Sequence, residues 1–215
     1  MQNLTIALPK GRLLTPVVSL LEQIGLNCSC VLEASRELIL DNNEGYRFLL
    51  VKPIDLPTYV ERRVADIGII GKDVLLEQEK ELYELADLKI GHCRMVLAGP
   101  AVKESPPWVN LKCVATSYPV ITDKFFRCRG KQVEVIKLHG SVELAPHFLL
   151  ADAIVDLVET GATLKANNLV EWELVTNSTA RLVANRSSYH FKGNEISRLL
   201  SSLKEVRHGK DKNIF

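Results

Sequence analysis

The sequence has 215 residues, of which 47% are hydrophobic and 25% are charged, and its formal net charge at pH 7 is +1. That length allows one large domain or two small lobes, in either case with a packed core. The near-neutral charge gives no electrostatic argument for a nucleic-acid partner, and no apolar stretch is long enough to span a membrane.

The amino terminus and the cysteines both favour a cytoplasmic protein. Residues 1–11 run directly into a short strand pattern and do not resemble a signal peptide. The five cysteines are an odd number without metal-ligand spacing, and only Cys28 and Cys30 lie close together. We interpret them as reduced thiols and predict no metal site made of protein ligands alone.

The chain begins with a strand–turn–helix unit, in which a strand over residues 4–8 is followed by the turn Lys10-Gly11-Arg12 and a helix over residues 13–24. A glycine turn that carries two cations between a strand and a helix suits an anionic ligand. A solvated turn explains the same residues equally well.

Two further strands, residues 35–40 and 46–51, are predicted to pair around a polar turn. Arg36 and Lys52 lie at the edges of these strands. They are candidates for contact with a ligand, although cations at strand ends are usually only solvated.

The next buried strand, residues 64–71, ends at Gly71 and leads through Asp73 into a helix over residues 74–80. The pair Ala65-Asp66 precedes apolar strand residues here, and Ala151-Asp152 does the same later in the chain. This repeated pair is weak evidence for two similar α/β lobes.

Residues 113–138 have their own alternation of strand, helix and strand, and strands at 172–176 and 181–185 carry the chain back to the first lobe. We therefore predict an α/β protein of two lobes, rich in parallel strands, with the second lobe inserted in the first. Lobe I comprises residues 1–95 plus 179–215, and lobe II comprises residues 96–178. Ligands of open α/β sheets lie beyond the carboxyl ends of the strands, so we expect the site in a cleft between the lobes.

The strongest candidate for chemistry is a short loop with two hydroxyls and a glycine after an apolar run. It consists of Glu159, Thr160, Gly161, Ala162, Thr163 and Leu164. Helix starts have unpaired N–H groups and partial positive charge, so such a loop can hold a phosphate. The alternative is that Thr163 is only an N-cap and Gly161 only a tight turn.

Two carboxylates precede this loop. Asp152 and Asp156 are four residues apart and therefore share one face of a strand or a helix. In an apolar run they need partners such as sugar hydroxyls, a cation or buried donors. Together with a phosphate loop, they indicate a phosphorylated sugar as ligand.

At this point the chain resembles a known family, the ATP phosphoribosyltransferases that open histidine biosynthesis. The resemblance rests on four motifs that occur in order along the chain: IALPKGR at 6–12, DLPTYVE at 55–61, ADIGIIGKD at 65–73, and GSVELAP at 140–146 continuing into residues 151–164. It implies two lobes like those of periplasmic solute-binding proteins. It also implies transfer of the 5-phosphoribosyl group from phosphoribosyl pyrophosphate to N1 of ATP, with Mg²⁺ and with release of pyrophosphate.

The resemblance places the phosphoribosyl-binding loop on Glu159–Leu164, with Thr160 to Leu164 on the 5′-phosphate. Displacement at the anomeric carbon needs cations on the leaving group and a clamp on the 5′-phosphate. We therefore assign Asp152 and Asp156 to the ribose hydroxyls or a magnesium shell. The expected phosphate and ATP contacts are Lys10, Gly11, Arg12, Arg36, Lys52, Gly71 and Asp73. Glu143 is a candidate base for the adenine amino group, and a structural hydrogen bond is an equal alternative. Mg²⁺ should be bound mainly through substrate phosphates.

Some positions depart from the family pattern. The family usually has arginine where this chain has Lys52, and glycine where it has Arg63 and Leu150. The sequence shows no additional C-terminal domain like that of the long-form enzymes, so we expect a short form that works in a hetero-oligomer with a regulatory subunit similar to histidyl-tRNA synthetase. The competing hypothesis is a non-enzymatic solute-binding module, which the fold alone would permit.

Overall fold

The structure is a computed structural model that describes residues 4–101 and 109–211, with only the backbone described for residues 207–211. The chain divides into two compact units, unit 1 with Met1–Gly91 and Thr179–Phe215, and unit 2 with His92–Ser178. The first crossover lies between Gly91 and His92 rather than between residues 95 and 96, because the strand Cys93–Gly99 belongs entirely to the sheet of unit 2.

Unit 1 contains a six-stranded sheet in the order β2-β3-β1-β4-β11-β5. Elements are numbered along the whole chain. The strands of unit 1 are β1 (Thr5–Pro9), β2 (Ile39–Asp41), β3 (Arg47–Val51), β4 (Ile67–Gly71), β5 (Tyr83–Asp87) and β11 (Ala180–Ala184). Its helices are α1 (Leu14–Gln23), α2 (Ser29–Glu33), α3 (Leu56–Glu61), α4 (Lys72–Gln78), α8 (Arg186–Phe191) and α9 (Gly193–Asp211). Strands β3, β1 and β4 are parallel, so their carboxyl ends meet at one edge.

Apolar side chains cover both faces of this sheet, as the continuous apolar runs in β1 and β4 require. Residues of α1 and α9 pack on one face together with Ile6 and Leu8. On the other face Leu56 and Val60 of α3 lie directly on β4, since a Cβ on Gly68 would come within 2.7 Å of Leu56 and 2.8 Å of Val60. Both faces of the sheet are therefore buried, and the residues that follow the strands at its carboxyl edge can contact a ligand.

Unit 2 contains a five-stranded sheet in the order β10-β6-β9-β7-β8. Its elements are β6 (Cys93–Gly99), β7 (Cys113–Thr116), α5 (Pro119–Arg127), β8 (Glu134–Lys137), α6 (Leu144–His147), β9 (Ala153–Val158), α7 (Ala162–Ala166) and β10 (Val170–Ser178). Strands β8, β7 and β9 are parallel, whereas β6 runs antiparallel to both β9 and β10. Val142 and Ala145 around α6 and Leu164 of α7 pack with Ile154 and Val158 of β9.

The five cysteines are free thiols. Burial raises the pKa of the Cys28 thiol to about 12, so this thiol is protonated and unreactive near neutral pH. In the described part of the chain, no helix combines the length and the apolar character needed to cross a bilayer.

Candidate functional site

Two lysines leave the carboxyl edge of unit 1 from neighbouring strands. Pro9 pairs with Val51, and the N–H of Lys10 donates to the Val51 carbonyl at 2.8 Å. Lys10 and Lys52 therefore follow β1 and β3 at the same level, and both are exposed. Gly11 next to Lys10 has φ +85°, a left-handed conformation that favours glycine.

Arg36 lies toward the same edge. It precedes β2, which runs antiparallel to β3 and begins opposite Leu49. The Glu37 carboxylate accepts the backbone N–H groups of Ser35 and Arg36, both at 3.1 Å. Within residues 4–101 and 109–211, Lys10, Arg36 and Lys52 form no ion pair with a carboxylate. Their positive charge is thus available for an anionic ligand.

Arg12 has a contact within unit 1. Its Nη1 donates to the Gly91 carbonyl at 3.2 Å, and Gly91 is the last residue of unit 1 before the chain enters unit 2. Gly91 has φ +63° and its Cα faces Leu13, which leaves no room for a side chain. Arg12 thus links the glycine turn after β1 to the crossover segment.

Gly71 and Asp73 lie at the end of β4 and contact each other. The Asp73 carboxylate is buried and lies over Gly71, where a Cβ would overlap Asp73 Oδ1. This contact accounts for the glycine, because a side chain at Gly71 would collide with the Asp73 carboxylate, so we treat the two residues as part of the framework of this edge.

The predicted phosphate loop follows β9 in unit 2. Glu159 and Thr160 are exposed, Gly161 has φ +80°, and α7 begins directly after it. Thr160 Oγ1 accepts the N–H of Ala162 at 3.4 Å, whereas the Leu164 side chain is buried in the core of unit 2. Leu164 anchors the helix, and its contribution to a ligand is limited to its backbone N–H. The amides of the first turn of α7 have no carbonyl acceptor within the helix.

Glu143 and Asp156 belong to two neighbouring parts of unit 2 that pack together, the start of α6 and the strand β9 that leads into this loop. Asp156 is the fourth residue of β9, and its Oδ1 accepts the N–H of Leu157 at 2.8 Å. Glu143 immediately precedes α6, which packs on β9. Burial first, and then the negative charge of Glu143, raise the pKa of Asp156 to about 6. Two carboxylates that interact electrostatically, one of them largely buried, are suited to accept hydrogen bonds from hydroxyls or to bind a cation.

Asp152 does not join this pair, which corrects the prediction that it shares a site with Asp156. Its Oδ2 accepts the N–H groups of Lys112 at 2.8 Å and Cys113 at 2.9 Å, at the start of β7. Because β7 and β9 are parallel, Asp152 lies at the amino edge of the sheet, whereas the loop lies at the carboxyl edge. Four residue steps along an extended strand separate the two aspartates by about 13 Å.

Two residues that sequence reasoning missed lie beside the loop. Arg94 of β6 pairs with Val158, the last residue of β9, and forms a two-pronged ion pair with Glu171 of β10 at 2.5 and 2.8 Å. A Cβ on Gly161 would lie 3.7 Å from Glu171 Oε1. Arg94 and Glu171 are 77 residues apart, so no local pattern could reveal the pair.

Arg63 and Leu150 stand where the family usually has glycine, and their backbone conformations differ. Arg63 has φ +64°, a conformation that favours glycine. Leu150 is not among the left-handed residues; the left-handed residue in that turn is Leu149, with φ +55°. The backbone of this turn thus shows the left-handed conformation at Leu149, next to the position where the family usually has glycine.

Among the side chains of residues 4–101 and 109–206, no three of His, Cys, Asp or Glu come together in a way that would hold a metal ion. Any cation at Glu143 and Asp156 would need further ligands from a substrate.

A family model and two full-length relatives identify one enzyme family. The family model described as ATP phosphoribosyltransferase (HisG) matches residues 52–205. An ATP phosphoribosyltransferase of Caldanaerobacter subterraneus subsp. tengcongensis is 49% identical over 211 residues, covering 97% of this chain and 100% of that protein. ATP phosphoribosyltransferase 2 of Geobacter sulfurreducens is 48% identical, covering 94% and 97%.

Solved structures support the same relationship and the predicted fold. A chain of the ATP phosphoribosyl transferase (HisG:HisZ) complex from Thermotoga maritima superposes with a TM-score of 0.80 at 37% identity, covering 94% of this chain and 98% of that chain. The alkanesulfonate-binding protein SsuA from Xanthomonas axonopodis pv. citri has a TM-score of 0.61 at 11% identity, covering 95% and 73%. The latter is a likeness of fold alone, and with it the prediction of a two-lobe fold like that of the periplasmic binding proteins is confirmed.

Proposed function

The chain belongs to the ATP phosphoribosyltransferase family, and from this premise we propose that it transfers the 5-phosphoribosyl group of phosphoribosyl pyrophosphate to N1 of ATP, the first step of histidine biosynthesis. The observation that carries the proposal is the carboxylate pair Glu143 and Asp156 beside the Thr160–Thr163 loop of unit 2. The two carboxylates can accept hydrogen bonds from ribose hydroxyls, and the loop can bind the 5′-phosphate of the same sugar.

Unit 2 binds the phosphoribosyl group in this proposal. The 5′-phosphate lies on the backbone N–H groups of Gly161, Ala162, Thr163 and Leu164, at the positive end of α7, with the Thr163 hydroxyl as a further donor. The ribose 2′- and 3′-hydroxyls donate to Glu143 and Asp156. Because the charge of Glu143 acts on Asp156, we assign Glu143 to the ribose in place of a base for the adenine amino group.

The reaction is a displacement at the anomeric carbon. The N1 lone pair of adenine forms the new C–N bond, while the bond from C1′ to the pyrophosphate oxygen breaks and its electron pair leaves with pyrophosphate. Positive charge develops on the ribose ring and negative charge on the leaving group. The carboxylates of Glu143 and Asp156 stabilise the first, and cations must stabilise the second.

Unit 1 supplies those cations. Lys52 and Arg36 bind the departing pyrophosphate, and Lys10, Gly11 and Arg12 bind the triphosphate of ATP, with Gly71 and Asp73 shaping the edge of the sheet. The support for this assignment is that Lys10, Arg36 and Lys52 are exposed at one edge of the sheet and have no carboxylate partner among the described residues. A cation on a leaving oxygen acts more strongly as charge develops there, so it lowers the barrier.

Mg²⁺ completes the proposed site. Two neighbouring carboxylates and the phosphate oxygens of a substrate form the all-oxygen ligand set that Mg²⁺ prefers, and Glu143 and Asp156 are the residues that would hold it. When bound, the ion neutralises negative charge on the phosphates.

A second polypeptide is part of the proposal. The similar Thermotoga maritima chain was solved as a HisG:HisZ complex. We infer that this chain likewise works in a hetero-oligomer, with a regulatory subunit similar to histidyl-tRNA synthetase. The compartment we propose is the cytoplasm, where the five free cysteines would stay reduced.

The test is to mix the protein with ATP, phosphoribosyl pyrophosphate and Mg²⁺ and to measure pyrophosphate together with the N1-phosphoribosyl product. Both products should form in equal amounts, and neither should form when one substrate is omitted. Binding of phosphoribosyl pyrophosphate without any turnover would instead support a solute-binding module of the same fold.

A further inference from the structure

We propose that Arg94 is a positioning residue for the phosphoribosyl substrate, and that it acts by neutralising Glu171 beneath the phosphate loop. The inference rests on the proposed function, because it concerns how the loop of unit 2 accepts the 5′-phosphate. It adds two residues from other strands to that site.

The sheet register places Arg94 under the loop. Directly opposite residues of antiparallel strands share one face, so Arg94 shares a face with Val158, and Val96 shares it with Asp156. Val96 and Val158 pack with Leu164 of α7, so α7 covers this same face. Arg94 thus lies on the side of the sheet that carries the loop and the ribose carboxylates.

Glu171 brings a negative charge to a place where a phosphate should bind. Its Oε1 faces the α-carbon of Gly161, the glycine that starts α7. Asp156 and Glu143 already make this region acidic, and a further unpaired carboxylate would repel a phosphate dianion. The Arg94 guanidinium binds both oxygens of Glu171, so this partly exposed pair carries no net charge beside the loop.

This arrangement predicts that the affinity for phosphoribosyl pyrophosphate depends on which residue of the pair is replaced. Arg94→Gln leaves Glu171 charged beside the phosphate, so binding of phosphoribosyl pyrophosphate should weaken by about tenfold. Glu171→Gln removes the repulsive charge and should not weaken binding. The double variant Arg94→Gln with Glu171→Gln should return to within about threefold of the wild-type affinity, because no charge is left unpaired.

The pair Arg129 and Glu173 gives a matched control. It also joins β10 to another element by an ion pair, but Arg129 lies over the Phe125 ring of α5. Arg129→Gln should change thermal stability without changing affinity for either substrate. Arg94→Lys keeps the charge and serves as a milder variant that does not depend on how well Arg94→Gln folds.

The experiment is titration calorimetry of the full chain with phosphoribosyl pyrophosphate and, separately, with ATP, with melting temperatures measured alongside. A tenfold loss for Arg94→Gln that is specific to phosphoribosyl pyrophosphate and is rescued by Glu171→Gln supports the inference. A double variant as weak as Arg94→Gln, an equal loss for ATP, or the same loss in Arg129→Gln would overturn it. Absence of phosphoribosyl pyrophosphate binding by the wild-type protein would overturn the proposed function and this inference with it.

Discussion

Asp66 and Asp152 have the same structural role in the two units. Each is the residue directly before a buried strand, and each carboxylate accepts a backbone N–H at the start of the neighbouring parallel strand. Asp66 Oδ2 accepts from Thr5 at 2.8 Å, and Asp152 Oδ2 accepts from Cys113 at 2.9 Å. Both stabilise the amino edge of a sheet, which is the edge away from the proposed substrate contacts.

Asp152→Ala should therefore lower stability and leave substrate binding intact. The change leaves the N–H groups of Lys112 and Cys113 without their acceptor, which should cost about 1–3 kcal/mol of unfolding free energy. Denaturant unfolding measures this loss, and calorimetry with phosphoribosyl pyrophosphate provides the control. A tenfold loss of affinity in this variant would return Asp152 to the ribose site.

Asp156→Asn should make the protein more stable at neutral pH while abolishing its activity. The folded-state pKa of Asp156 is raised to about 6 from its ordinary value of 3.8, so the folded protein binds the proton more tightly than the unfolded chain. Wild-type stability should then fall as pH rises from about 4 to 6 and stay reduced above that range. The asparagine keeps an acceptor for the Leu157 N–H without carrying the charge.

The expected gain is on the order of 2 kcal/mol at pH 8, and most of it should be lost by pH 4, where the folded-state aspartate is protonated and the unfolded-state aspartate is partly so. Melting temperatures of the two proteins at both pH values check this. An equal difference at pH 4 and pH 8 would mean that packing, not charge, separates them.

Leu149→Gly should stabilise the protein, whereas Leu150→Gly should destabilise it. Leu149 is 92% exposed and has φ +55°, so its side chain contributes little packing and its backbone is strained. Relief of that strain should exceed the entropy cost of glycine and give a gain of about 0.5–1 kcal/mol. Leu150 has no such strain, and glycine there should cost about 1 kcal/mol. A gain for Leu150→Gly with no gain for Leu149→Gly would show that the left-handed backbone at Leu149 stores no strain.

Lys52→Ala should slow the chemical step. Removing one preorganised cation from a developing charge should reduce the single-turnover rate by about 10²–10³. Lys52→Arg should keep most of the rate, since the charge is retained and the end of β3 directs the side chain. Lys204, an exposed lysine of α9, is the matched control. A wild-type rate for Lys52→Ala would assign the leaving-group role to Arg36.

Hydrophobic pattern alone predicted the elements that form the core. The apolar runs of β1 and β4 were placed correctly to within about three residues, because burial on both faces leaves a strong signal. Strand β5 was missed because Tyr83–Asp87 is a polar edge strand, and α6 was missed because it has only four residues.

The site was less predictable because its parts meet through packing. Glu143 and Asp156 approach each other since α6 lies on β9, and Arg94 reaches Glu171 across two antiparallel pairings. The same-face spacing of Asp152 and Asp156 was correct, but in a strand it separates the two carboxylates instead of joining them.

The most direct test of the central claim is a crystal structure of the protein with phosphoribosyl pyrophosphate. We expect the 5′-phosphate on the N–H groups of Gly161 to Leu164 and the ribose hydroxyls on Glu143 and Asp156. A 5′-phosphate bound at Lys10 and Lys52, with the loop after β9 vacant, would contradict the assignment of the phosphoribosyl site to unit 2.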